Sequence, residues 1–172
     1  MISRHLVVGA LALLFACSSS APKPARSMAD VSFGLDVSAA EADLLRGAAT
    51  LELLALEPDG PLPEQRNDPT CFHGYRVLGR ALVSDVATRT QLLDAIGRAC
   101  RENDGRSAAC FAPRHGVRAI TEGHTVDLLI CFQCLSMRVY ADGVSRDSGD
   151  LASTQEPEVS GIFRAQGLSI AP

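Results

Sequence analysis

Two apolar runs, residues 109–121 and 124–140, meet at Glu122-Gly123, and no other feature restricts the fold as much. A two-residue loop there makes an antiparallel hairpin, because glycine readily supplies the positive φ that such turns require. The pairing follows at once. Arg118 faces Asp127, a favourable cross-strand charge pair. One face gathers Phe111, Pro113, His115 and Val117 with Val126, Leu128, Ile130, Phe132 and Cys134, which reads as a core face. The other carries Cys110, Arg114 and Arg118 with Asp127, Leu129, Cys131 and Gln133. A slip of one residue exchanges the two faces, so the charge pair and the apolar face support the same register.

The flanking segments supply helices and further strands. Ser38-Ala39-Ala40-Glu41 is a capping box and predicts a helix to about Arg46 that buries Leu44 and Leu45. Thr50–Leu56 predicts a strand, and the proline-rich stretch Glu57–Thr70 a long loop. Tyr75–Val83 predicts another strand, with Gly79 and Ala81 leaving room for a helix on one face. Asp85 caps a helix to about Glu102, whose Leu92, Leu93, Ile96, Ala99 and Cys100 recur at three- and four-residue spacing. Asp94 and Arg98 are placed to pair on its opposite face. Residues 141–155 predict a loop. Pro157 then opens a final helix with Val159, Ile162 and Phe163 as its apolar stripe and Gly167 as its stop. This order predicts an α+β domain, with an antiparallel sheet of about four to five strands and helices packed on one face.

The first seventeen residues point to an address. Arg4, an apolar run over residues 6–16 and Cys17 resemble a bacterial lipoprotein signal, with Leu14-Phe15-Ala16-Cys17 as the lipobox and Cys17 as the lipidated residue. A cleaved, unlipidated secretory signal and a start at Met28 are the alternatives. The run is too short for the roughly 20 residues that a spanning helix needs. Diacylation plus an amine-linked chain gives more than one anchor, enough for stable attachment. Ser18 after the cysteine favours the outer membrane by resemblance to known sorting rules. The expected organisation is a signal at 1–17, a flexible tether at 18–37 with Pro22 and Pro24, and one globular domain at 38–172.

Composition excludes some functions. The net charge is −4 and no basic patch emerges, which argues against a nucleic-acid partner. With no Trp and two Tyr, there is no aromatic platform for carbohydrate. There is no GxSxG, HExxH, phosphate loop or GxGxxG after a strand, so no catalytic arrangement is recognised.

Candidate chemistry concentrates in Cys110, His115, Cys131 and Cys134. Three thiols and an imidazole suit tetrahedral zinc, yet residues three apart in a strand point to opposite faces, and only a bulge would bring the ligands together. In the register above, Cys110 and Cys131 lie about 13 Å apart along the hairpin, beyond disulfide reach. Cys134 is expected in the core beneath a helix, pointing away from Cys110. Thiol exchange at Cys131 and Cys134 is a second reading, although no helix begins there to lower a thiol pKa. Structural disulfides are the third, favoured by an exported address. Six cysteines less Cys17 leave an odd number, so at least one is unpaired or pairs between chains. Cys100 has the look of a small buried hydrophobe. His73, beside Gly74 at a strand entrance, and Arg114 are candidate polar-site residues.

Phe72-His73-Gly74-Tyr75 with Val77-Leu78-Gly79, Cys110-Phe-Ala-Pro-Arg-His-Gly116 and Val126-Asp-Leu-Leu-Ile-Cys-Phe-Gln-Cys134 together resemble a family of uncharacterised bacterial proteins, many with lipoprotein signals. The resemblance covers roughly residues 38–172 and implies an address but no mechanism. The expected function is that of an envelope-anchored lipoprotein, held to the membrane through lipid on Cys17, with a non-catalytic binding or structural role. The alternative is a metal-binding or thiol-redox protein using Cys110, His115, Cys131 and Cys134.

Overall fold

The structure, a computed structural model, describes residues 37–60 and 68–172. The expected signal and, apart from Val37, the expected tether lie outside the described residues. Helix α1 (Ala39–Gly47) is followed by strands β1 (Leu51–Leu56), β2 (Cys71–Phe72) and β3 (Tyr75–Val83), then helix α2 (Val86–Glu102). Strands β4 (His115–Thr121), β5 (His124–Cys131), β6 (Ser136–Ala141) and β7 (Val144–Asp150) come next, and a short 3-10 turn leads into α3 (Glu156–Ala165).

The capping residues act as their chemistry dictates. Ser38 accepts from the Glu41 amide while the Glu41 carboxylate accepts from the Ser38 amide, satisfying two helix-end donors. Asp85 accepts from the Thr88 amide at 2.7 Å. One predicted pair is corrected. Arg98 does not close an i,i+4 pair with Asp94 but reaches across to Glu158 of α3, since that contact also ties two packed helices together.

The predicted sheet is also corrected. Among the described residues seven strands, not four to five, pair antiparallel in the order β2-β3-β1-β4-β5-β6-β7, and the sheet curls into a half-barrel with three helices. Three hairpins account for the extra strands and part of the curl. His73-Gly74, Glu122-Gly123 and Asp142-Gly143 each place both residues at positive φ, between 51° and 88°, the conformation whose twist matches two-residue hairpins. The predicted strand over 124–140 is broken by a fourth turn at Phe132–Leu135, closed by the Leu135 amide on the Phe132 carbonyl at 3.3 Å. Leu135 itself sits at φ 54°.

Both faces of the sheet are covered, for different reasons. Leu51, Leu53, Val117, Leu128, Ile130 and Val139 pack with Leu45, Leu92, Ile96, Val159 and Phe163 in the main, helix-bearing core. On the other face, Leu54, Leu56 and Leu129 are sealed by Phe72 and Tyr75. The β2–β3 hairpin thus acts as a clasp. Burying each such side chain contributes roughly 1.5–3 kcal/mol, which offsets the ordering of a short hairpin. Leu168, in the segment after α3, lies against Gly79 where a helix was expected; a Cβ there would sit 3.0 Å from its Cδ2.

Gly116 is the seat of the clasp. A Cβ at this position would lie 3.0 Å from Phe72 Cε1 and 3.2 Å from the Leu54 Cβ. Gly116→Ala is therefore expected to cost about 1–3 kcal/mol through overpacking, read as a lower urea midpoint with an unchanged slope. A neutral substitution would show that Phe72 is not seated there.

Candidate functional site

The register at Glu122-Gly123 is realised in full from Thr121↔His124 to His115↔Ile130, with Arg118 opposite Asp127. It stops there. Before His115 the chain leaves the ladder, and after Cys131 it turns, so extrapolation to Cys110 and Cys134 fails. Cys134 does not point away from Cys110: the two form a disulfide, with Cα atoms 5.6 Å apart. The turn carries Cys134 round to meet the incoming segment, which the Ala108 amide pins to the Cys134 carbonyl at 3.1 Å. Cys131 remains a buried free thiol, and its sulfur accepts the Cys134 amide at 3.2 Å.

His115 lies on the opposite face. Its Nε2 is 2.9 Å from the Ser160 hydroxyl, and the edges of Phe132 and Phe163 enclose the ring. Burial pushes its pKa down to about 4, with a smaller contribution from Arg164 and Arg114, so the imidazole is neutral. The four predicted residues therefore separate into a disulfide, an adjacent thiol and a core histidine. Among the described residues no group of three or more His, Cys, Asp or Glu side chains is placed to hold a metal ion. Arg114 is committed to contacts within the chain, donating to the Pro172 carbonyl at 2.6 and 2.9 Å and to Gln133 at 3.0 Å.

His73 is where sequence reasoning pointed without seeing the partners. The β2–β3 clasp swings it over the sheet so that Nε2 lies 2.7 Å from Asp127 Oδ2. Arg118 grips the same carboxylate with two hydrogen bonds of 2.8 and 2.7 Å. Asp127 is only 1% exposed. Burial alone would raise its pKa, but the bonds from Arg118 and His73 outweigh that and hold it below the usual carboxylate range. An ionised carboxylate only accepts, so the histidine proton on this side sits on Nε2. The imidazole stacks on Tyr140 with centroids 3.7 Å apart, and Arg118 lies 4.9 Å above the Phe72 ring. An oriented Asp–His couple can act as a base. Here Tyr140 covers one ring face, and among the described residues no hydroxyl or thiol is hydrogen-bonded to His73. The couple fastens the clasp. Tyr140 and Ser160 were the missed partners; Tyr140 follows from pairing opposite Asp127, which needed the β5–β6 turn, whereas no local pattern announces Ser160.

Two hollows open on the surface of the described residues. A groove of about 880 Å³ opens where the start of α1 meets the ends of β5 and β6. It is lined by the Glu41–Arg146 and His124–Asp142 pairs together with Leu44 and Val126. A shallower hollow of about 580 Å³ lies over Ser160, between Arg114, Glu156 and Arg164. Among the described residues no helix is long and apolar enough to cross a membrane. No protein-family model, curated protein or solved structure matches this chain.

Proposed function

We propose that this protein is a lipid-anchored domain of the bacterial cell envelope, most consistent with the outer membrane, with a non-catalytic binding or structural role. Cys17 carries the lipid and residues 18–37 tether the domain. The observation that supports this reading is the Cys110–Cys134 disulfide, because such bridges persist in oxidising compartments and are rare in the cytosol. The mixed lining of the groove beside α1, with paired charges of both signs around Leu44 and Val126, favours a small amphipathic ligand as the bound species.

Mass spectrometry of the protein from a bacterial membrane fraction tests the address. The expected mature chain begins at Cys17 and carries diacylglycerol on that sulfur. Cys17→Ala should abolish incorporation of labelled palmitate. An unmodified amino terminus at Met1 or Met28 would remove the reading.

A further inference from the structure

The β5–β6 turn places a disulfide and a free thiol side by side, and the arrangement is asymmetric. Cys134 and Cys110 are bridged, while the third, Cys131, is a free thiol. Cys131 is 1% exposed and Cys134 is fully buried, whereas Cys110 lies at the surface. The Cys131 sulfur is 3.2 Å from the main-chain nitrogen of Cys134, and that N–H is a donor suited to stabilising negative charge on sulfur. A four-residue turn separates the strands.

We propose that Cys131 is an internal nucleophile for the Cys110–Cys134 bridge, and that exchange delivers a reactive thiol to the surface at Cys110. The reaction is an isomerisation and needs no outside oxidant. Cys131 loses its proton, and its thiolate attacks the Cys134 sulfur. The bond between the Cys131 and Cys134 sulfurs forms as that between Cys134 and Cys110 breaks. The electron pair leaves on the Cys110 sulfur, which takes a proton from solvent. Two forms thus share one oxidation state: a resting form whose only thiol of the three is buried, and an exchanged form that presents Cys110. The second takes disulfide-bearing molecules as partners, forming a mixed disulfide at Cys110 and releasing a thiol.

The chain around the bridge suits this role. The 108–110 segment lies outside the ladder and is held to the turn by the Ala108–Cys134 backbone bond as well as by the bridge. Breaking the bridge unpairs no strand and leaves the segment held by that backbone bond. Leu135, at φ 54° without being glycine, places backbone strain in the same turn.

Tryptic digestion separates the outcomes. Cleavage after Arg106 and Arg114 isolates Cys110, while cleavage after Arg118 and Arg138 leaves Cys131 and Cys134 on one peptide. The resting bridge links two peptides; the exchanged bridge lies within one. The folded full-length protein is incubated with iodoacetamide at pH 7 to 9, quenched in acid and digested without reduction. The expected product is alkylated Cys110 together with an internal Cys131–Cys134 disulfide, accumulating with incubation time. Cys131→Ser should abolish alkylation of Cys110 while the Cys110–Cys134 link stays intact, and a circular dichroism spectrum matching the parent's reports that the variant is folded. If the variant does not fold, the peptide linkage in the parent protein decides, because the exchange predicts an internal Cys131–Cys134 disulfide together with alkylated Cys110. Alkylation of Cys131 with the original bridge retained, or no alkylation at Cys110 after a day at pH 9, would overturn the proposal.

Discussion

Asp127→Asn is expected to destabilise the protein by about 3 kcal/mol. Breaking one side of a buried ion pair costs about 3–5 kcal/mol, because the remaining charge is left without compensation. Arg118 keeps 31% of its side chain exposed and recovers some hydration, which places the effect at the low end. The neutral amide also fails His73, whose Nε2 proton is directed at this carboxylate. The loss should appear as a lower urea midpoint at constant slope. Asp127→Leu combined with Arg118→Met should recover most of it, since replacing both partners removes the desolvation problem along with the bond. A single-variant loss under about 1 kcal/mol would show that the cluster does not hold the clasp.

Acid should weaken the fold well before its carboxylates titrate. In the folded protein His115 has its pKa pushed down to about 4, against about 6.5 in an unfolded chain. Between those values the unfolded state binds the extra proton, so stability is complete above pH 6.5 and falls as pH drops toward 4. At about 1.4 kcal/mol per pH unit the loss over this window reaches roughly 3 kcal/mol. Asp127 has its pKa lowered and so acts in a different window. Its contribution is present above the usual carboxylate pKa of about 3.9 and is lost only as pH falls below that. Arg164 and Arg114 add to the His115 effect, and Glu156 lines a small cavity of about 10 Å³ beside His115. Urea midpoints at pH 7, 6, 5 and 4.5 measure the slope. His115→Gln should flatten it, and a slope equal to that of the parent would assign the acid sensitivity elsewhere.

Much of the architecture was legible because local chemistry and tertiary packing agree. The capping box at Ser38–Glu41, the helix after Asp85 and the Glu122-Gly123 hairpin each carry two independent signals, and all three form. The loop expected over 141–155 is instead the Asp142-Gly143 hairpin and β7: the dipeptide is a turn signal, but the charged and small residues of β7 lack the alternation that marks a strand. What no local pattern announced is the turn Phe132-Gln133-Cys134-Leu135. It contains no Gly, Pro, Asn or Asp and continues an apolar run, so periodicity carries the strand straight through it. That single turn decides where Cys134 points, and with it the disulfide. The His73–Asp127 contact was hidden for another reason: it joins residues far apart in sequence and depends on a clasp whose existence rests on the short strand Cys71–Phe72.

The strand order has a consequence for how the chain must be closed on itself. Strands β4 to β7 succeed one another both in sequence and in space, and so do β2 and β3, so these pairings close only small loops. Strand β1 is the exception. It lies between β3 and β4, and its pairing with β4 spans β2, β3 and all of α2. Closing that loop carries more entropy than any neighbouring pairing, though the excess grows only logarithmically with length. The sheet is therefore two ladders, of three and four strands, joined along one seam. Until that seam forms, each ladder presents an open hydrogen-bonding edge, and the Val117–Leu53 and Ala119–Leu51 pairs that later lie in the core are the surfaces left uncovered.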